Sequence, residues 1–147
     1  MLMYRLKDSA LLTKLFQDTK EGIIVKVAGN TVIADMCGDE QQVKRVKLLL
    51  SYFSRMVKMT VTGINDRFKL EYTFEEIPVE SVLAKILSPV QVDVTNDNKT
   101  YVCRCHFNVN KSLFESSYYT KQFLLSLLGN TTMVIDGEDI AITVEIK

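Results

Sequence analysis

The side chains of this chain best suited to chemistry are gathered in one run, Cys103-Arg104-Cys105-His106, with a further cysteine at Cys37. Three thiols and an imidazole are nominally a Cys3His zinc set. Tetrahedral zinc needs four ligands that converge on one point, usually from knuckles with two to four intervening residues. The run reads instead as a β-strand, whose successive side chains leave opposite faces. Cys103 and Cys105 then share a buried row with Tyr101 and Phe107, while His106 and Arg104 take the other face. The expectation is core cysteines, with no metal and no cofactor.

His106 is the only histidine, so any Ser-His-Asp or Cys-His site must be built on it. No Gly-x-Ser-x-Gly elbow accompanies it. The carboxylate neighbours Glu75/Glu76 and Glu138/Asp139 fall at strand ends and turns, where they serve solubility better than acid–base catalysis. The six glycines are dispersed one per turn and form neither a Gly-x-Gly-x-x-Gly nor a Walker loop. An enzyme with a dispersed site near His106 is therefore the third-ranked reading.

Nucleic acid comes second. Lys44, Lys47, Ser51 and Arg55 recur three or four apart, with Arg45 beside them and Lys58 just beyond. Lys44, Lys47 and Arg55 on one helical face, with Lys58 just past the helix, could contact phosphates. The competing reading is a solvated face opposite the apolar stripe Val43–Leu50. Eighteen basic residues balance eighteen acidic ones, so there is no global attraction to a polyanion. A base-stacking sheet would need aromatics on its wet face, yet Phe68, Tyr72, Phe74, Tyr101 and Phe107 all read as buried.

These residues must be positioned by elements that the periodicity outlines. A short strand, Leu2–Leu6, precedes a helix capped by Asp8 or Ser9, carrying Leu11, Leu12, Leu15 and Phe16 inward and ended by Gly22. Strands Ile23–Val27 and Thr31–Asp35 flank Ala28-Gly29-Asn30, a hairpin signal. Asp39 caps a second helix with Val43, Val46, Leu49, Leu50, Phe53 and Met56 inward, followed by strands Val57–Thr62 and Arg67–Glu75. Pro78 opens a third helix that buries Val79, Val82, Leu83, Ile86 and Leu87. Strands Val90–Thr95 and Lys99–Phe107 come next. A fourth helix, near Lys111–Leu128, ends at Gly129 as a C-cap, and Thr131–Ile135 with Asp139–Ile146 make the last hairpin.

The chain is thus expected to be an α+β domain, 1–147, of four helix–hairpin units, with pseudo-two-fold halves 1–75 and 76–147 as a variant. Leu2–Thr62 can also be grouped β-α-β-β-α-β, which is ferredoxin-like order. Strict alternation, as in Phe68, Leu70, Tyr72 and Phe74 against Lys69, Glu71, Thr73 and Glu75, means one buried and one wet face per strand. Mainly antiparallel sheet with helices on one face follows, and Lys69, Glu71, Arg104 and His106 mark the open face. Ile24, Ile33, Val102 and Val134 are apolar exceptions on that face. Leu2–Leu6 and Ile140–Ile146 are the expected sheet edges.

With 147 residues, 47% hydrophobic and 24% charged, the chain has enough material for its own core. An odd cysteine count suits a reducing compartment. Neither a secretory leader nor an apolar run of about 20 residues is seen, so the cytoplasm is the expected address. The first-ranked function is a small non-catalytic module that acts through protein–protein contact, with a partner protein or with itself.

Overall fold

A computed structural model describes residues 2–6, 24–37, 40–64, 66–88, 90–106, 111–136 and 139–146. The strands are β1 (Met3–Tyr4), β2 (Ile24–Ala28), β3 (Thr31–Cys37), β4 (Arg55–Ile64), β5 (Arg67–Glu75), β6 (Ile77–Pro78), β7 (Gln91–Asp97), β8 (Thr100–His106), β9 (Gly129–Asp136) and β10 (Asp139–Ile146). Three helices lie among the described residues: α1 (Glu40–Phe53), α2 (Val79–Leu87) and α3 (Lys111–Ser126). The helix expected over Leu11–Phe16 falls outside them, as do Phe107 and the proposed caps Asp8, Ser9 and Asp39. The fold is α+β with antiparallel sheets throughout.

The chain divides into two compact units, Met1–Pro78 and Val79–Lys147, each with a four-stranded sheet. The orders are β2-β3-β5-β4 in the first and β7-β8-β10-β9 in the second. Hairpin, helix, hairpin is thus laid down twice with the same crossing, the fourth strand of each four-stranded sheet sitting inside the third. Turn chemistry repeats as well. Gly29 and Asn98 open the two-residue turns with φ of 61° and 55°, the left-handed region that Gly and Asn tolerate best. The carbonyl of the next residue, Asn30 or Lys99, accepts the backbone N–H of Phe74 or Ile146 at 2.9 Å.

In the first unit, alternation on β5 buries Phe68, Leu70, Tyr72 and Phe74. Leu6, Val32, Ala34, Val46, Leu50, Phe53 and Ile77 are buried in the same unit. In the second unit, Tyr101, Cys103, Cys105, Ile140, Ile142 and Val144 line the inner face of the sheet, and α2 buries Val82, Leu83, Ile86 and Leu87. Lys121 of α3 donates to the carbonyls of Ile86 and Ser88 at 3.2 and 2.9 Å, satisfying the open C-terminal end of α2.

Four expectations are corrected. The β-α-β-β-α-β grouping would place the first strand inside the N-terminal sheet; β1 instead pairs with β6 as a separate two-residue ladder. Ile140–Ile146 is not an edge. β10 lies between β8 and β9, because the α3 crossover returns the chain to the far edge and the last hairpin then folds inward. The second predicted helix, α1, stops at Phe53, so Arg55 and Met56 begin β4. Gly129 is no C-cap: it opens β9 opposite Ile146, with the backbone of Glu145 where a Cβ would stand.

Candidate functional site

The predicted basic stripe does not survive intact. Lys44, Arg45 and Lys47 are exposed on α1, and Ser51 bonds its own helix through the Leu48 carbonyl. Arg55 leaves the helix face altogether and pairs with Glu75 at 3.5 Å on the neighbouring strand. Lys58 is exposed further along β4. Two of the four candidate phosphate contacts therefore belong to a sheet edge, and the helix keeps Lys44 and Lys47.

The open-face candidates lie on the wet side of their sheets. Lys69 and Glu71, two apart on β5, pair with each other at 3.7 Å, and Arg67 reaches Asp35 across the strands at 3.8 Å. In the second unit, Arg104 approaches Asp139 at 4.0 Å. Exposed pairs of this kind contribute little to stability. They do keep that face solvated.

His106 is built more tightly than the sequence suggests. Its Nε2 is 2.6 Å from Asp93 Oδ2 on β7, and its Nδ1 is 3.5 Å from Asp139 Oδ1 at the start of β10. The register accounts for this: Gln91 faces His106 and Asp93 faces Arg104, while Ile140 faces Cys105. Sequence reasoning missed both aspartates because strand pairing was not legible before the strand order was. The hydrogen bond to Asp93 chiefly raises the imidazole pKa above its ordinary value; partial desolvation opposes it, and the Asp139 charge adds to it. Carboxylates bracket the ring from opposite sides. A catalytic base needs one ring nitrogen directed at a substrate or nucleophile, and here both already face an acid.

Cys103 and Cys105 are fully buried on the other face. Desolvation lifts their thiols to about 12 and about 11; Cys105 raises Cys103 further, while Lys121 partly offsets the rise at Cys105. Thiolates are the nucleophilic and metal-binding form, so these two are poor at either task.

A different feature stands out once register is known. Val61 of β4 lies opposite Leu70, and Met133 of β9 lies opposite Ile142. Leu70 and Ile142 are both fully buried, yet Val61 and Met133 are 41% and 42% exposed. They occupy the same position of the repeated topology. In each unit the apolar layer runs out to the edge strand and is left open there. Val57 and Val134 add exposed apolar groups to the same two strands, and Leu48 on α1 and Phe123 on α3 are exposed as well. The other edges, β2 and β7, carry no such residue among those described. On their far sides β4 and β9 pair with no strand among the described residues, so each presents a row of backbone donors and acceptors beside an apolar border.

The chain matches no family model, no curated protein and no solved structure. The functional signal therefore resides in this geometry. Among the described residues no helix is long and apolar enough to cross a membrane.

Proposed function

We propose that the chain is a small, non-catalytic binding module that acts in the cytoplasm through protein–protein contact at its open β edges. The observation that carries this reading is the equivalent exposure of Val61 and Met133 on the edge strands β4 and β9, whose far sides meet no strand among the described residues. An edge strand gives affinity through main-chain hydrogen bonds and specificity through alternate side chains. Soluble proteins blunt such edges with charges and bulges. β4 is guarded only at its start, where Lys58 and the register shift between Met56 and Lys58 stand; Met59–Ile64 lies past that guard. The absence of an enzymatic role is favoured by the doubly engaged His106 and by the buried thiols.

A photo-crosslinking residue placed at Val61 or Val134 tests the reading in lysate of the source cells, with exposed Lys85 on α2 as the control position. Position-specific adducts from Val61 or Val134, absent from Lys85, are the expected result. A chain that gives the same background from all three has no edge-directed partner, and the reading then fails.

A second reading rests on the exposed Lys44, Arg45 and Lys47 of α1, which could meet a nucleic-acid backbone. Binding of that kind is salt-sensitive, falling steeply as counterions compete. Lys44→Glu with Lys47→Glu should abolish a gel shift at low salt; an unshifted wild type removes the idea.

A further inference from the structure

The formal charge of zero conceals a division. Met1–Pro78 holds twelve basic and ten acidic residues, and Val79–Lys147 holds six and eight. The edge strands carry the division to its limit. In the first unit β2 has Lys26, and β4 has Lys58 and an Arg55 already paired with Glu75 of β5, with no acid on either edge strand. In the second, β7 has Asp93 and Asp97, and β9 has Asp136, with no base. Like edges therefore repel and unlike edges attract. Of the acidic edges, β7 has already committed Asp93 to His106 and shows no large exposed apolar residue, whereas β9 does.

We infer that the partner of the β4 edge is the β9 edge of a second copy of this chain, joined head to tail as a continuous antiparallel sheet. This rests on the edge-contact reading above and names its occupant. Register follows from the faces. Met59 and Val61 lie opposite the buried Tyr72 and Leu70, and Met133 and Ile135 lie opposite the buried Ile142 and Ile140. A continuous apolar layer requires these four to share one side, since a slip of one residue sends every side chain to the wrong face. Setting Val61 against Met133 satisfies that condition. It also sets Met59 against Ile135, Thr62 against Thr132 and Lys58 against Asp136. One register thus aligns both apolar rows and the single opposite-charge pair. The bulged start of β4 falls outside the paired stretch. Such a contact is heterologous: each one leaves a β4 and a β9 unused, so association continues until a ring closes.

The test uses the whole chain. Light scattering across a concentration series should show mass above the monomer. Lys58→Glu and Asp136→Lys should each weaken association by roughly tenfold, because each replaces an attractive cross-strand pair with a repulsive one. The double variant Lys58→Glu with Asp136→Lys should restore it. Circular dichroism melts of the three variants, expected to match the wild type, check folding. Crosslinks from Val61 should fall on the peptide containing Met133. A chain that stays monomeric at every concentration overturns the inference, as does an assembly indifferent to both single substitutions. If Val61 instead gives specific adducts with a different protein, the self-pairing falls while the edge-contact reading stands. If neither Val61 nor Val134 gives adducts above the Lys85 background, both fall together.

Discussion

Ser54 Oγ and Tyr72 OH lie 2.8 Å apart with both residues essentially sealed from water. Ser54 also donates to the Leu50 carbonyl at 2.7 Å, so its single proton is used and Tyr72 must be the donor of the pair. The α1–β4 junction and the inner strand β5 are thereby tied through one hydroxyl. Ser54→Ala leaves the phenol donor buried with no acceptor, and should destabilise the chain by about 1–3 kcal/mol. Tyr72→Phe should cost less, because Ser54 keeps its bond to Leu50. In urea titrations the double variant should fall near Tyr72→Phe alone. Equal, additive losses would show that the pair is not coupled. Tyr101 offers the contrast: its buried hydroxyl has no partner among the described residues, so Tyr101→Phe should leave the urea midpoint unchanged or raise it.

The pH response centres on His106. Its pKa is raised mainly by the hydrogen bond to Asp93, so the folded state holds the proton more firmly than the unfolded one. The resulting stabilisation is fully present below the unfolded value of about 6.5. It is lost as pH rises through the raised folded value. Being the only histidine, His106 can be titrated by NMR without assignment ambiguity. The midpoint should lie above about 6.5 in the wild type and drop in Asp93→Asn. Stabilities of the two proteins should differ in mild acid and converge in mild base. A wild-type midpoint unmoved by Asp93→Asn would mean that the bond does not form in solution.

Cys103 and Cys105 should behave as inert packing groups. Burial pushes their thiols up to about 12 and about 11, so the thiolate fraction in mild base is small and access is blocked. Mass spectrometry after iodoacetamide treatment should find neither alkylated in the native chain and both alkylated in denaturant. Prompt native labelling of either would place it in an open environment and return the thiols to consideration as a site.

The alternation of Phe68 through Glu75 was readable because period two has one meaning on a half-buried strand, and the buried rows Phe68–Phe74 and Tyr101–Cys105 follow from it. Strand order was not readable. The pattern of Ile140–Ile146 is that of any half-buried strand, and nothing local distinguishes a central strand from an edge when both are amphipathic. That is why Asp93 and Asp139 were not seen around His106, and why the open layer at Val61 and Met133 emerges only from pairing. The helix end was missed for a related reason: Phe53 and Met56 fit helical spacing equally well, while the chain at Arg55 follows the β5 partner Glu75. Tertiary pairing outweighed local periodicity there.

Gly129 and Gly63 form a matched test of the edge strands, since each sits on the third strand, in chain order, of its four-stranded sheet. A Cβ on Gly129 would collide with the backbone carbonyl of Glu145, whereas one on Gly63 would meet nothing. Backbone on β10 cannot move aside as a flexible side chain could, so the β9–β10 ladder must distort. Gly129→Ala should therefore destabilise the second unit by about 1–3 kcal/mol or more, in line with other overpacked sites. Gly63→Ala should be neutral or slightly stabilising, because it reduces the freedom of the unfolded chain at no steric cost. Hydrogen exchange separates the two effects: Gly129→Ala should speed exchange of the β10 amides and leave those of β5 unchanged. Equal tolerance of both substitutions would mean that β9 does not approach Glu145 as closely as its pairing with β10 requires.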